Sequence, residues 1–262
     1  MHWRLISYAE CDPVFNMAAD EAILDAHLAG EVPPTLRLYG WKPHAISIGY
    51  SQKITDEEIN SIRSHGLDVV RRATGGRAVL HLNDLTYSFI GTSIGDGSTE
   101  RSGFLNNSVA SAYKQISEGL IEGILEFGVQ LELGSSQNDY RTNYDCFRAT
   151  TNADLQYAGK KMIGSAQLRR KNAVLQHGSI LLNQAQNKMN EVYGDQTQQT
   201  VARHANLFDV LDKEITFHQL QGALQHGFSK AFDVELAEDV LTEKELSRIE
   251  RLTDKYKVVS IK

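Results

Sequence analysis

The sequence "VVRRATGGRAVLHLNDLTYSF", from Val69 to Phe89, constrains the fold most strongly. An apolar run ends in two arginines, two glycines follow, and strand-forming residues resume after a third arginine. Glycine tolerates a positive φ better than any other residue, so Gly75 and Gly76 predict a hairpin-like turn between two strands. A turn alone accounts neither for the three arginines nor for His81. The stretch therefore raises the question of what these polar residues do beside a glycine turn.

Capping residues place two helices before this stretch. Asn16 is the predicted N-cap of a helix that ends near Gly30, because Asn side chains accept hydrogen bonds from amides of the first turn. Thr55 and Glu58 have the spacing of a capping box, which predicts a shorter helix that ends at Gly66.

Strands and helices also alternate after this stretch. Apolar residues recur at helical spacing over residues 108–128, whereas residues 154–182 show blocks of alternating residues that predict consecutive strands. The tail is helical over residues 216–232, and Thr242 with Glu245 caps a further helix.

The order of these elements indicates the fold class. Strands and helices interleave without a regular βαβ rhythm, so we predict an α+β fold with a central mixed, largely antiparallel sheet flanked by helices. The chain shows no repeat and no linker, and we expect one domain over residues 1–262. Its core is expected at about residues 30–235, followed by a helical carboxyl-terminal extension.

Composition narrows the class of protein. The chain of 262 residues carries 33 acidic and 27 basic residues, a net charge of -6, which argues against bulk nucleic-acid binding. The first residues lack a signal-peptide pattern, and no apolar run approaches the ~18 residues of a membrane span. Cys11 and Cys146 lie far apart without a C-x-x-C motif, which argues against disulfides and a zinc site. We expect a cytoplasmic protein with no membrane or nucleic-acid partner.

Cys146 is a candidate nucleophile. A free cysteine is often only a small buried residue, but here Asp145 precedes it and Arg148 follows it in a polar segment. A thiol near arginine or lysine loses its proton more readily than a free cysteine, which makes it reactive. Cys11 is followed by an acid and has no base nearby, so we expect it to be structural or incidental.

A second candidate is Lys161 in "GKKMIGSAQ". Neighbouring strand residues point to opposite faces, so only one lysine of this pair can face a pocket, and Lys160 is the expected exposed one. The small residues Gly164, Ser165 and Ala166 leave a backbone against which a ligand can lie.

Other polar residues allow two interpretations. His81 and His177 are either hydrogen-bonded core histidines or pocket-lining residues. Arg169, Arg170 and Lys171 form the expected tip of a hairpin, which either faces solvent or docks an acidic partner.

Two segments together carry a family resemblance. "RRATGGRAVLH…DLTYS" and "GKKMIGSAQ…QHGSILL" resemble the hallmark segments of the lipoate ligase and octanoyltransferase family, which shares the biotin protein ligase fold. The resemblance runs from about Ala18 to the carboxyl-terminal helices. The octanoyltransferase branch is the more similar one in its "TGGRAVLH" and "GSAQ…LQHGSI" segments and in a Cys-Phe pair ahead of the lysine strand. The family usually places an acid directly after the histidine, whereas here Asp84 follows His81 by three positions.

The resemblance implies a reaction and its partners. An octanoyl group would move from octanoyl-acyl carrier protein to a lysine of an apo lipoyl domain, on the glycine cleavage H protein or a 2-oxoacid dehydrogenase E2. Cys146 would hold the acyl group as a thioester. Lys161 would favour the thiolate, polarise the carbonyl and assist proton transfer as the target amine attacks. No ATP, cofactor or metal would be needed.

The resemblance also implies a substrate site. Gly75 and Gly76 would let the backbone approach the acyl chain, and the arginines would fix the turn or meet the carrier's phosphate. Val79, Leu80 and Ile163 are expected to line an acyl tunnel. The implied substrate-binding residues are Arg72, Thr74, Gly75, Gly76, Arg77, His81, Gly164, Ser165, Ala166, His177 and Gly178.

Two alternatives stay open at the level of sequence. In an ATP-dependent lipoate or octanoate ligase, Lys161 would contact the phosphate of an acyl-adenylate. Such ligases typically have a third glycine where this chain has Arg77. In a non-catalytic scaffold that binds a carrier or an acyl group, neither Cys146 nor Lys161 would be needed.

Overall fold

The computed structural model describes residues 2–94, 104–134, 145–148, 151, 154–193 and 204–257. Two short 3-10 turns, Cys146–Arg148 and Gln184–Lys188, lie among the regular elements. In chain order these elements are β1 (His2–Cys11), α1 (Pro13–Leu28), β2 (Thr35–Trp41), β3 (Ala45–Ile48), α2 (Asp56–Ser64), β4 (Asp68–Arg71), β5 (Val79–His81), β6 (Leu85–Thr92), α3 (Val109–Leu125), β7 (Glu132–Leu133), β8 (Leu155–Tyr157), β9 (Lys160–Arg170), β10 (Ala173–Ile180), α4 (Met189–Val192), α5 (Leu207–Leu211), α6 (Phe217–Phe232), β11 (Glu235–Asp239) and α7 (Glu243–Tyr256).

An eight-stranded sheet forms the centre of the molecule, in the order β11-β1-β2-β6-β10-β9-β8-β7. β1 runs parallel to both β11 and β2, and the other neighbours are antiparallel. The predicted α+β fold with a mixed, largely antiparallel sheet is confirmed. β11 was not expected from the sequence, which predicted a mostly helical tail.

A smaller sheet in the order β4-β3-β5 contains the glycine turn. β3 lies in the middle, parallel to β4 and antiparallel to β5. The turn therefore joins two strands that do not pair, and the prediction of a hairpin is wrong. Only Gly76 of the two glycines has a positive φ, of 98°. Local sequence could not show that a strand from an earlier segment separates β4 from β5.

The two faces of the large sheet are covered by different layers. Because side chains alternate along a strand, Leu36 and Leu38 of β2 point into the core with Leu120 of α3 and Phe228 of α6. Tyr39 points to the opposite face, where it packs with residues of α1 and α7. The small sheet lies on this second face, and the space between the layers is where a pocket can form.

The start of α1 differs from its prediction. Asp12 is the N-cap, since its side chain accepts hydrogen bonds from the amides of Val14 and Phe15 at 2.9 and 3.1 Å. The N-cap prediction for Asn16 is therefore wrong. Asn16 is instead buried in the first turn, where its amide donates to the carbonyl oxygen of Gly40 at 3.0 Å.

The capping boxes in the sequence are confirmed at α2 and α7. Thr55 accepts from the amide of Glu58, and Thr242 accepts from that of Glu245. Glu245 is also buried and binds the guanidinium of Arg4 with both oxygens, at 2.5 and 3.0 Å. This ion pair joins α7 to β1.

The basic tip of the β9–β10 hairpin is held by the protein itself. Arg169 donates to backbone carbonyls ahead of α3, including that of Ser108 at 3.1 Å. Arg170 donates to Glu21 of α1 at 2.6 Å and also binds Asp25. These contacts give both arginines a role in fixing the tip.

Nowhere in the described ranges is a helix both long and apolar enough to span a bilayer.

Candidate active site

Lys161 and Cys146 meet beneath the small sheet. Lys161 is 1% exposed, whereas its neighbour Lys160 is exposed, so the strand places the lysines as predicted. The Lys161 ammonium donates to the carbonyl oxygen of Cys146 at 2.8 Å and lies 3.6 Å from its Sγ. The same ammonium lies 3.0 Å from a carboxylate oxygen of Asp154.

Cys146 begins a short 3-10 turn that is fixed to the residues after the glycine turn. Its amide donates to the carbonyl oxygen of Ala78 at 2.9 Å. Asp145 accepts from the amide of Phe147 at 2.8 Å, which closes the turn. The thiol is therefore held between β5 and β9, at 9% exposure of the residue.

The charge of Lys161 depends on its two neighbours. Burial lowers the pKa of the ammonium, but Cys146 and Asp154 act in the opposite direction and together raise the pKa above its ordinary value. The lysine is therefore a fixed cation beside the sulfur atom.

Asp154 is a site residue that sequence reasoning missed. Its carboxylate is buried and accepts hydrogen bonds from the amide and hydroxyl of Thr151 at 2.7 and 3.0 Å. It thereby holds the ammonium of Lys161 in place. A signal existed in the sequence, since Asp154 is an acid at the start of a strand-forming segment shortly before the lysine strand.

The glycine turn is organised by Arg72. Its guanidinium is buried and donates to Ser47 and to the backbone carbonyls of Gly75 and Arg77, at distances from 2.6 to 3.1 Å. The arginines were expected either to fix the turn or to meet the carrier's phosphate, and the contacts of Arg72 fit the first role. A Cβ on Gly49 would lie 2.1 Å from the carbonyl oxygen of Gly76, so the turn rests directly on bare backbone.

His81 is fixed by hydrogen bonds to both ring nitrogens. Nδ1 lies 2.8 Å from Asp84 and Nε2 lies 2.7 Å from the hydroxyl of Ser47. The ring stacks on Trp41 with centroids 3.8 Å apart. Burial lowers the pKa of His81, and the opposing effect of Asp84 does not offset it, so the imidazole is neutral. Asp84 therefore contacts His81 even though it follows the histidine by three positions and not directly.

His177 has a similar arrangement on the other side of the pocket. Nδ1 lies 2.9 Å from Asp20 and Nε2 lies 2.7 Å from the hydroxyl of Thr74. Asp20 also accepts from Arg37 at 2.9 Å and from Tyr39 at 3.0 Å. Burial raises the pKa of Asp20, but hydrogen bonds from His177 and the charge of Arg37 outweigh it, so the carboxylate stays ionised.

Most of the predicted site residues line a single pocket. Cys146 and Lys161 line it, with the predicted residues Arg72, Gly76, His81, Gly164, Ser165, Ala166, His177 and Gly178. Besides Asp154, sequence reasoning missed further lining residues, which carry no distinctive local pattern: Met17, Tyr39, Trp41, Ser47, Thr86, Thr151 and Ser179.

Some predicted residues lie outside the pocket lining. Thr74 is buried behind His177, Gly75 is exposed, and Arg77 contributes its backbone carbonyl to Arg72. Of the residues expected to line an acyl tunnel, Val79 does so. Leu80 packs in the core of the small sheet and Ile163 in that of the large sheet, because each points away from the layer boundary.

Among the described residues no cluster of three His, Cys, Asp or Glu side chains is suited to a metal ion.

Comparison with known proteins assigns the family. A family model for the lipoyl protein ligase A/B catalytic domain matches residues 12–229. Octanoyltransferase LipM of Anoxybacillus flavithermus is 36% identical over 271 residues, which cover 97% of this chain and 95% of that protein. Octanoyltransferase LipM of Staphylococcus aureus is 35% identical over 272 residues, covering 97% and 96%.

Solved structures agree with this assignment. A crystal structure of lipoate-protein ligase A bound with ATP has a TM-score of 0.80 at 28% identity, covering 97% of this chain and 95% of that one. A T. acidophilum protein with bound lipoic acid has a TM-score of 0.77 at 26% identity, with coverage of 97% and 95%. The chain therefore belongs to the lipoyl protein ligase A/B catalytic-domain family and, within it, to the LipM-type octanoyltransferases.

Proposed function

We propose that the protein transfers an octanoyl group from a carrier thioester to a lysine side chain of a lipoyl domain, by way of a thioester on Cys146. One observation carries this proposal: the buried ammonium of Lys161 lies 3.6 Å from Cys146 Sγ inside a pocket. The relatives named octanoyltransferases support the choice of acyl group and of reaction.

The first half-reaction loads the enzyme. Cys146 attacks the carbonyl carbon of the incoming thioester as a thiolate, with the Lys161 cation 3.6 Å from its sulfur. A new carbon–sulfur bond forms, the bond to the carrier's sulfur breaks, and the carrier thiolate takes up one proton. The developing negative charge on the carbonyl oxygen is stabilised by the same ammonium.

The second half-reaction forms the amide. The amine of the acceptor lysine attacks the acyl carbon, the electron pair of the broken carbon–sulfur bond returns to Cys146 beside Lys161, and the released sulfur takes up the proton that the amine loses. Exchange between two thioesters is close to thermoneutral and formation of the amide is downhill. The chemistry therefore proceeds without ATP and without a cofactor.

The pocket walls suit an aliphatic chain next to a polar reaction centre. Met17, Tyr39, Trp41 and Val79 contribute apolar surface. Gly76, Gly164 and Gly178 leave backbone free of side chains along the wall, which permits close approach of the acyl group. Arg72 holds the glycine turn beside this wall, and Thr74 holds His177.

The partners follow from the chemistry of the two half-reactions. Octanoyl-acyl carrier protein is the proposed donor. The proposed acceptors are apo lipoyl domains, on the glycine cleavage H protein or a 2-oxoacid dehydrogenase E2. Both macromolecules present their reactive group on a flexible arm, which fits a thiol that is nine-tenths buried.

An ATP-dependent ligase is the second candidate, because the fold matches that of a lipoate-protein ligase bound with ATP. In that mechanism free octanoate or lipoate would be activated as an adenylate, and Cys146 would have no chemical role. The two mechanisms differ in their donor and in their need for nucleotide.

An assay with purified components separates the two candidates. The protein is mixed with octanoyl-carrier protein and an apo lipoyl domain after residual nucleotide has been removed with apyrase, and the mass of the lipoyl domain is followed. A parallel reaction contains free octanoate, ATP and magnesium. We expect transfer in the first mixture and none in the second. Strict dependence on ATP would overturn the proposed function.

A further inference from the structure

The pocket follows the cross-strand pairing of the large sheet. On the face that carries the small sheet, one row of directly paired residues crosses four neighbouring strands: Gly164 of β9, Ser179 of β10, Thr86 of β6 and Tyr39 of β2. All four residues line the pocket. Neighbouring strands lie about 4.8 Å apart, so the row spans about 14 Å. The long axis of the pocket therefore runs across the strands.

The reactive thiol lies at the β9 end of this row. A Cβ on Gly164 would lie 3.4 Å from Nζ of Lys161 and 3.3 Å from the ring of Phe147, the residue after Cys146. The same Nζ lies 3.6 Å from Cys146 Sγ. An acyl group on this sulfur therefore starts over β9, with the rest of the row in front of it.

The neighbouring row on the same face does not continue the pocket in this way. Ala166 of β9 and His177 of β10 line the pocket, but the next partners in their row, Ser88 of β6 and Arg37 of β2, do not. Among these paired residues, the pocket lining thus extends beyond β10 along the first row and not along the second. An acyl chain accordingly has its path toward Tyr39.

The hydroxyl groups along the row are bonded within the protein. Ser179 donates to a carboxylate oxygen of the buried Asp84 at 2.6 Å, and Thr86 donates to the same oxygen at 3.3 Å. Thr86 also accepts from Nε1 of Trp41 at 2.8 Å. Because these polar atoms already have partners, an aliphatic chain that covers them leaves none of them without a hydrogen bond.

Trp41 closes the far end of the row. It lies on the same face of β2 as Tyr39, two residues earlier, and its indole reaches Thr86 of β6. The ring stacks on His81 with centroids 3.8 Å apart. Met17 of α1 packs in the same cluster as Trp41 and Tyr39. The indole is therefore held by β6, by the small sheet and by α1.

The distance from the thiol to this indole matches an eight-carbon chain. An extended acyl chain advances about 1.3 Å per carbon–carbon bond, so its carbonyl carbon and its eighth carbon lie about 9 Å apart. Two strand spacings, from β9 to β6, amount to about 10 Å. The terminal methyl group of an octanoyl chain on Cys146 would therefore lie over Thr86 and against the indole of Trp41.

We propose that Trp41, stacked on His81, is the specificity-determining residue that ends the acyl site and limits it to an octanoyl chain. This inference deepens the proposed function and rests on it. Two further carbons would need about 2.5 Å more, a space that the indole fills. Longer chains are therefore excluded by contact with Trp41, whereas shorter chains leave the last part of the row uncovered.

The preference for chain length tests the role of the indole. In Trp41→Leu we expect the ratio of kcat/KM for decanoyl carrier to that for octanoyl carrier to rise at least about tenfold, because two more methylenes can be buried. Trp41→Phe keeps a ring against His81 and should raise the ratio by a smaller factor; it is the main variant if Trp41→Leu does not fold. Trp3→Leu and Trp3→Phe, in the core on the opposite face of the sheet, are the matched controls and should leave the ratio unchanged.

Tryptophan fluorescence locates the end of the chain without a measurement of turnover. The protein contains two tryptophans, so Trp41 is the only one in Trp3→Phe. The acyl-enzyme of this variant is formed with 7-bromoheptanoyl-carrier protein, in which bromine replaces the terminal methyl group, and is freed of carrier. Bromine quenches tryptophan at contact distance, so we expect the emission to fall well below that of the octanoyl form. Trp41→Phe, which retains Trp3, should show no such difference.

The outcomes distinguish this inference from the proposed function. If the wild-type protein forms no octanoyl adduct on Cys146, the proposed function fails and the inference fails with it. If the adducts form but bromine leaves the emission of Trp41 unchanged, the inference alone is overturned. A chain-length ratio that stays at the wild-type value in both Trp41→Leu and Trp41→Phe would overturn it as well.

Discussion

The ammonium of Lys161 binds Cys146 at two points: it donates to the carbonyl oxygen at 2.8 Å and lies 3.6 Å from Sγ. The contact with the backbone fixes the cysteine relative to the charge that acts on its thiol. Asp154, at 3.0 Å, fixes the ammonium from a second direction. The geometry of the thiol and its cation is therefore set before a substrate arrives.

Removal of the cation should slow the reaction of the thiol. In Lys161→Met we expect alkylation of Cys146 by iodoacetamide near neutral pH to be at least about tenfold slower, because a nearby cation favours the reactive thiolate. The free energy of unfolding should fall by about 3–5 kcal/mol, since the carboxylate of Asp154 is left buried without its partner. Lys160→Met, on the exposed face, should change neither quantity.

A double variant shows which of these effects arises from Asp154. Lys161→Met combined with Asp154→Asn should recover much of the lost stability in urea unfolding, because no buried charge is then left uncompensated. Alkylation should stay slow. Fast alkylation in this stable double variant would show that the ammonium does not activate Cys146.

Backbone contact beneath the glycine turn predicts a contrast between two glycines. Gly49→Ala should displace the turn and strongly reduce transfer, since its Cβ would lie 2.1 Å from the carbonyl oxygen of Gly76. Gly75→Ala meets nothing within 4 Å and has no positive φ, so transfer should stay within about twofold. Equal activity of the two variants would contradict the account of the turn.

The apolar pocket wall predicts selectivity for acyl length. Each buried methylene contributes about 0.8 kcal/mol, so a hexanoyl carrier should give a kcat/KM about tenfold below that of octanoyl carrier. Met17→Ala should enlarge the pocket and raise the relative rate with decanoyl carrier. Met162→Ala, in the core of the large sheet, is the control and should leave the ratio of the two rates unchanged. Equal rates with all chain lengths would exclude a closed acyl site.

The Arg4–Glu245 pair predicts a pH dependence of stability. Burial raises the pKa of Glu245, but hydrogen bonds from Arg4 and Thr242 outweigh it and lower the pKa below the ordinary value. The stabilisation is therefore complete at neutral pH and is lost as the pH falls through this lowered pKa. Glu245→Gln should be about 3 kcal/mol less stable at pH 7, and the difference should shrink below about pH 4. Glu243→Gln, exposed on the same helix, is the control; a constant difference across pH would contradict the assignment.

The sequence predicted those features that depend on residues close together in the chain. The capping boxes of α2 and α7 depend on residues three positions apart, and the opposite orientations of Lys160 and Lys161 follow from strand geometry. Cys146 and Lys161 were recognisable by residue type and by family resemblance. The partners of site residues that other elements of the fold supply were not recognisable in this way. Asp20 reaches His177 because α1 packs on the large sheet, and Asp154 reaches Lys161 where β8 pairs with β9. β3 enters between β4 and β5 from an earlier part of the chain.

Direct detection of the acyl-enzyme tests the central claim that Cys146 carries the octanoyl group. Wild-type protein is incubated with octanoyl-carrier protein in the absence of acceptor and ATP, and the intact mass and the modified peptide are determined. We expect one octanoyl group on Cys146, removed by neutral hydroxylamine, as well as an unchanged adduct in Cys11→Ala. Cys146→Ala should form no adduct and lose transfer by several orders of magnitude, because the covalent route divides one difficult step into two. Transfer at the wild-type rate by Cys146→Ala would contradict the mechanism.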